Sequence, residues 1–319
     1  MTGKIRPSSK FGSACAAILL LVLPAAPAGA ITLRYSLKKG AEVTYRVQAA
    51  SASRMSVQGE ERIEMTSRID QTYRLRVLEV SPEGVMEMER EVISGTLKIS
   101  AGEAEREGPL PKGKKRFKVT PLGKVSGVEG PKTAEPEKEE DGEMGGAEGL
   151  EAQGPFGWEE TGTEMDFLVS GIFVPLPEKE VKPGDSWEEE TEIESAALPL
   201  PGEQAQKARL KVKSELVELA EREGRKCARI RTSYELPISA EPPAGESFKI
   251  SLSGKETGEV EWYLDIEKSC TRSAQGNTQF LLKMSVEFPP ELEEEMALGP
   301  AKETTSATKV NLKILLVEG

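Results

Sequence analysis

Apolar residues recur at every second position along much of this chain, and that period commits it to β structure. Tyr73, Leu75 and Val77 face one way while Arg74 and Arg76 face the other, as in a strand with one buried face. Ser81-Pro82-Glu83-Gly84 then reads as a turn and Val85–Ile93 as the returning strand. Proline presets one turn dihedral, and glycine accepts a positive φ. Upstream, Leu33, Tyr35 and Leu37, then Val43, Tyr45 and Val47, alternate on either side of a break at Lys38-Lys39-Gly40. Lys114–Val119 and Gly123–Val128 form another pair around Pro121-Leu122-Gly123.

The same grammar returns in the second half. Leu210 and Val212 alternate with Arg209, Lys211 and Lys213, a turn falls at Glu221–Gly224, and Ala228, Ile230 and Tyr234 alternate beyond it. Val260, Trp262, Leu264 and Ile266 share a parity, as do Phe280, Leu282, Met284, Val286 and Phe288. Val310, Leu312, Ile314 and Leu316 read as a last strand. The halves echo each other: Lys38-Lys39-Gly40-Ala41 resembles Lys182-Pro183-Gly184-Asp185, at an offset of 144. The turn glycines Gly84 and Gly224 repeat at an offset of 140. Two anchors that agree this closely indicate a duplication. The expected fold is mainly β, with two antiparallel curved-sheet lobes and little helix. The lobes are 31–128 and 165–319. Met165–Phe173 is an apolar piece read as one or two helical turns. Val174-Pro175-Leu176-Pro177 after it must be extended.

The ends and the middle of the chain carry different information. Lys4, Arg6 and Lys10 precede the apolar run Ala14–Leu23, and Ala28-Gly29-Ala30 is a small-x-small site. That is the layout of a secretory signal peptide cleaved after Ala30, which implies a secreted or periplasmic protein. Cys15 stands at the start of the apolar run rather than after it, so a lipid-modified cysteine is not read. No later stretch is apolar for the roughly 18–20 residues of a spanning helix. Residues 129–164 hold twelve acids and two bases. This Gly-, Glu- and Pro-rich segment is expected to be a disordered linker, with Phe156 and Trp158 as isolated aromatics. It accounts for most of the chain's net charge of −12. No basic patch dominates elsewhere, which disfavours nucleic acid as a partner.

Catalysis is limited by what the chain lacks. It has no histidine, which removes the usual general base, the commonest metal ligand and a neutral-pH switch. No Walker loop, nucleophile elbow, dinucleotide fingerprint or calcium loop occurs. Of the 54 acids only five are Asp, at 70, 141, 166, 185 and 265. No catalytic, cofactor-binding or metal-ligating residue is singled out, and no cofactor is expected. A glycosidase-like pair of glutamates is the one catalytic arrangement this composition leaves open.

Pro175-Leu176-Pro177 through Val181-Lys182-Pro183-Gly184-Asp185-Ser186-Trp187 resembles a signature, Leu-Pro-x-x-x-Val-x-x-Gly-Asp-Ser-Trp, of secreted bacterial β-rich proteins of the domain-of-unknown-function type. The resemblance implies an early strand opened by a Lys-x-Gly turn and, later, a second one at this motif. It brings no activity with it. The residues themselves read as structural: Gly184 makes the turn, Asp185 caps it, and Trp187 anchors the next strand in the core. The acidic insert departs from that pattern.

Without the leader only Cys227 and Cys270 remain. In an oxidising compartment they read as a disulfide closing a loop of 42 intervening residues, worth roughly 4 kcal/mol if unstrained. Two unpaired thiols are the alternative, because the alternation puts Cys227 on the polar side and Cys270 on the apolar parity. Three functions fit this architecture. The first is a non-enzymatic envelope protein binding a lipid or other apolar ligand in a curved-sheet cavity; such half-barrels resemble periplasmic carriers of lipids and lipoproteins. The second is a structural or interaction protein of the envelope or extracellular space. The third is a carboxylate-dependent hydrolase. A large apolar pocket favours the first, a filled core with an exposed apolar patch the second, and two facing carboxylates with shifted pKa the third.

Overall fold

The computed structural model describes residues 29–57, 60–110, 112–129, 172–195, 206–240, 249–287 and 302–317. These form β1 (Glu42–Val57), β2 (Glu60–Val80), β3 (Met86–Ala101), β4 (Ala104–Pro109), β5 (Lys114–Val119) and β6 (Val125–Glu129). The second half supplies β7 (Ser186–Ser195), β8 (Gln206–Arg222), β9 (Arg225–Ala240), β10 (Lys249–Asp265), β11 (Cys270–Glu287) and β12 (Lys302–Val317). All twelve belong to one open antiparallel sheet in the order β6-β5-β3-β2-β1-β12-β11-β10-β9-β8-β7, with β4 against the far half of β3. No helix occurs among the described residues. Residues 1–28, expected as most of the leader, the acidic segment from residue 130, Phe156, Trp158 and residues 165–171 lie outside them. Ile172 and Phe173 form a bend, and residues 174–177 are irregular backbone rather than helix, because each proline pushes the residue before it out of the α region.

The two halves expected as lobes are two wings of one sheet, zipped together where β1 pairs β12 from Thr44–Val317 to Val57–Thr304. Each half repeats the same backbone device. Before β1, Gly40 N donates to Val77 O and Val77 N to Ala41 O; before β7, Gly184 N donates to Leu216 O and Leu216 N to Asp185 O. A register shift follows at Val77/Glu79 in the first wing and at Leu216/Glu218 in the second. Gly84 and Gly224 then turn β2 into β3 and β8 into β9, both at positive φ. The strand order therefore runs the same way across both wings, as a translated repeat.

The core lies at the end of the sheet where these turns cluster. One cross-strand row runs Gln71, Val47, Ile314, Ala274, Trp262, Ile230, Leu216 through seven strands, and every member is buried. Two irregular segments, around Leu33–Tyr35 and Ile172–Val181, pack onto that end of the sheet as a plug. Phe173 meets Tyr35 edge-on at 5.1 Å between ring centres and Phe117 at 6.3 Å. The Tyr35 hydroxyl accepts from Val174 N at 2.9 Å, and the Tyr45 hydroxyl donates to Thr271 O at 2.9 Å. The plug also joins the two edges of the sheet. Ile31 and Val181 exchange backbone bonds, Tyr35 N donates to Pro121 O, and Leu176 N to Leu122 O. Lys124 in the β5–β6 turn pairs with Glu189 of β7 at 2.7 Å. The sheet is thus curled upon itself at this end.

Glycines permit the bend on the opposite wing. Gly254, Gly258 and Gly276 carry inward positions of β10 and β11, and a Cβ there would meet Leu281 O at 2.1 Å, the Tyr234 ring at 2.3 Å or Glu259 O at 2.4 Å. A side chain at any of the three would collide with its neighbour, so the closeness of these strands depends on their absence.

Candidate functional site

Beyond the buried row, the inward positions continue toward the far end of the strands and stay half-buried or buried while their outward neighbours are exposed. Many are apolar: Ile69, Leu97, Leu210, Phe280 and Leu282 are half-buried, and Val212, Leu236 and Leu252 between them are buried. Serines and threonines of β1, β2 and β12 lie between them, with Ser51 bonded to Ser67 and Ser53 to Thr308. An open depression of about 710 Å³ draws its lining from β1, β10, β11 and β12, at inward positions such as Gly254 and Leu282 and equally at outward ones such as Ser253, Leu281 and Lys283.

Two glutamates stand at inward positions along this wall: Glu189 of β7, opposite Val212 and paired with Lys124, and Glu256, which has no ion pair among the described residues. Glu256 stands inward on β10, between Leu236 of β9 and Phe280 of β11, with Gly254 and Gly258 two positions away along its own strand. It lies six residues from the Trp262 row, or about 20 Å along the strand. Tyr234 lies across Gly258, donates to Glu256 Oε1 at 2.8 Å and reaches Thr278 Oγ1 at 2.9 Å. Its proton is committed to the carboxylate, so Thr278 must be the donor in that second bond. Gly258 is what permits this: without a Cβ there, the ring crosses β10 and spans three strands. Glu256 Oε2 carries no hydrogen bond among the described residues and is not among the fully buried polar atoms. Burial raises the Glu256 carboxyl above its usual value, and the Tyr234 bond opposes that rise only in part. Burial likewise pushes the Tyr234 hydroxyl well above its usual value. The other shifted carboxylates move down, each held by a partner: Asp70 by Arg46, Glu83 by Ser81, Glu105 by Lys98 and Glu261 by Arg229. A carboxylate on an apolar face without a cation is costly to fold around, and such a group marks a candidate site.

The residues singled out in the sequence lie elsewhere. Gly184 has φ +93°, Asp185 Oδ2 accepts from Lys182 N at 3.0 Å, and the half-buried Trp187 donates through Nε1 to Pro175 O at 3.0 Å. This turn holds the plug against β7. Cys227 and Cys270 are not bridged; both are free and buried. Each pairs with Asp265 from opposite sides of β10, so two strand spacings, roughly 9–10 Å, separate their backbones, beyond the span of a disulfide. Burial raises both thiols, Cys270 to about 11. Among the described residues no three His, Cys, Asp or Glu side chains are grouped to hold a metal ion, and no helix is long and apolar enough to cross a membrane. Glu256 was missed because the alternation was traced back along β10 only to Val260. Extending the same parity through Gly258 to position 256 exposes a glutamate on an inward row. No protein-family model matches the chain, and no curated protein matches it.

Proposed function

We propose that this is a non-enzymatic, exported envelope protein that holds an amphiphilic small molecule against the inward face of its sheet. The observation that carries the reading is the largely apolar inward wall that continues past the packed core and contains a carboxylate with no cation beside it among the described residues. A core that served only stability would end where the plug ends. Binding sites combine an apolar lining with a few placed polar groups, and Glu256, Tyr234 and Thr278 supply the latter. One observation favours a second reading, an interaction protein of the envelope: the plug fills the curled end, which leaves open depressions rather than an enclosed cavity. The hydrolase reading lacks its second carboxylate, since Glu256 has no acidic partner facing it on β9 or β11.

Adjacent positions on β11 separate the first two readings. Leu282 is inward and half-buried, and Leu281 is outward and 38% exposed. Titration with a polarity-sensitive fluorophore carrying an alkyl chain should show binding that Leu282→Lys abolishes and Leu281→Lys leaves intact. Equal loss in both variants, or binding in neither variant nor the parent, contradicts the inward face as the binding surface.

A further inference from the structure

Resting on the reading of the inward face as a ligand cradle, we infer that Glu256 selects an amphiphile whose polar end is a protonated amine. The argument is one of charge complementarity. The inward positions around Glu256 are Tyr234, Leu236 and Ile238 on β9, Gly254 and Gly258 on β10, and Thr278, Phe280 and Leu282 on β11. None is basic, and no lysine or arginine pairs with Glu256 among the described residues. The carboxylate therefore faces the apolar wall with one oxygen engaged by Tyr234 and the other available.

A cation placed there would meet Oε2 directly, and the Tyr234–Thr278 pair already orients Oε1. Gly258 lets the Tyr234 ring cross β10 and reach the carboxylate from one side, which leaves Oε2 as the oxygen without a partner among the described residues. An alkyl chain leaving that head group lies against Phe280 and Leu282, both half-buried on inward positions. A fatty acid would bring a second carboxylate beside the first, which repulsion disfavours unless one is protonated. An alcohol donates one uncharged hydrogen bond, weaker than a charge-assisted one.

Dodecylamine, dodecanol and dodecanoate share one chain length and differ only in the head group. Each is titrated against the intact protein preloaded with the alkyl fluorophore, at neutral pH. The expected result is displacement by dodecylamine at about tenfold lower concentration than by dodecanol, with dodecanoate weakest. In Glu256→Gln, with binding of each amphiphile read directly by calorimetry, the amine and alcohol should converge. Equal displacement by amine and acid, or an amine preference that survives Glu256→Gln, overturns the head-group assignment and leaves the cradle standing. Failure of the fluorophore and all three amphiphiles to bind removes the cradle itself, and the assignment with it.

Discussion

Gly123 sits at φ +83° in the β5–β6 turn, and a Cβ there would lie 2.5 Å from Val174 O and 2.9 Å from the Tyr35 ring. Both strain and space forbid a side chain, so Gly123→Ala should cost on the order of 2 kcal/mol or more, read as a lower urea midpoint. Cys270 supplies a pH signature. Its thiol is raised from 9.0 to about 11, so the folded state keeps a proton that the unfolded chain releases. That contribution is complete below pH 9 and is lost as pH rises toward 11, with a span of about 2–3 kcal/mol. Cys270→Ala should flatten this part of the alkaline decline. Glu256 carries the opposite lesson about neutral pH. Its carboxyl is raised by burial, so its contribution is present in acid and lost as the group ionises in the folded state. Glu256→Gln should therefore raise the unfolding midpoint at neutral pH, and the gap should close on acidification below the ordinary glutamate range.

The plug is the element on which the curl depends. Trp187 links it to β7 by packing and by its bond to Pro175 O, and Trp187→Ala should cost about 2–4 kcal/mol in equilibrium unfolding. The strands near the plug were legible because their inward residues are large and apolar: Tyr45, Tyr73, Leu75 and Trp262 stand against charged neighbours. Farther along, the inward residues of β1 and β12 become Ser51, Ser53, Ser306 and Thr308, and the contrast with the outward side fades. The extension of β2 to 21 residues and of β1 to 16 was invisible for that reason. The repeat was legible because both copies need a glycine at the same turns. The cysteine bridge misled because spacing along the chain does not reveal that β10 runs between the two thiols.

At the scale of the whole molecule, the two ends of one sheet differ, and the proposed function gives each end its own task. The turn end is curled and filled by the plug, which supplies the buried core. The far end extends the same inward face beyond that core, lined by apolar side chains and carrying the carboxylate of Glu256. The glycines of β10 and β11 let the neighbouring backbone and the Tyr234 ring close onto these strands beside Glu256. The mass of the protein under native conditions, after incubation with a bacterial lipid extract and removal of unbound lipid, tests this division most directly. The account predicts a species heavier than the polypeptide by one amphiphile, removed by organic extraction and absent from Leu282→Lys. A polypeptide mass alone, or an adduct that persists in Leu282→Lys, would contradict it.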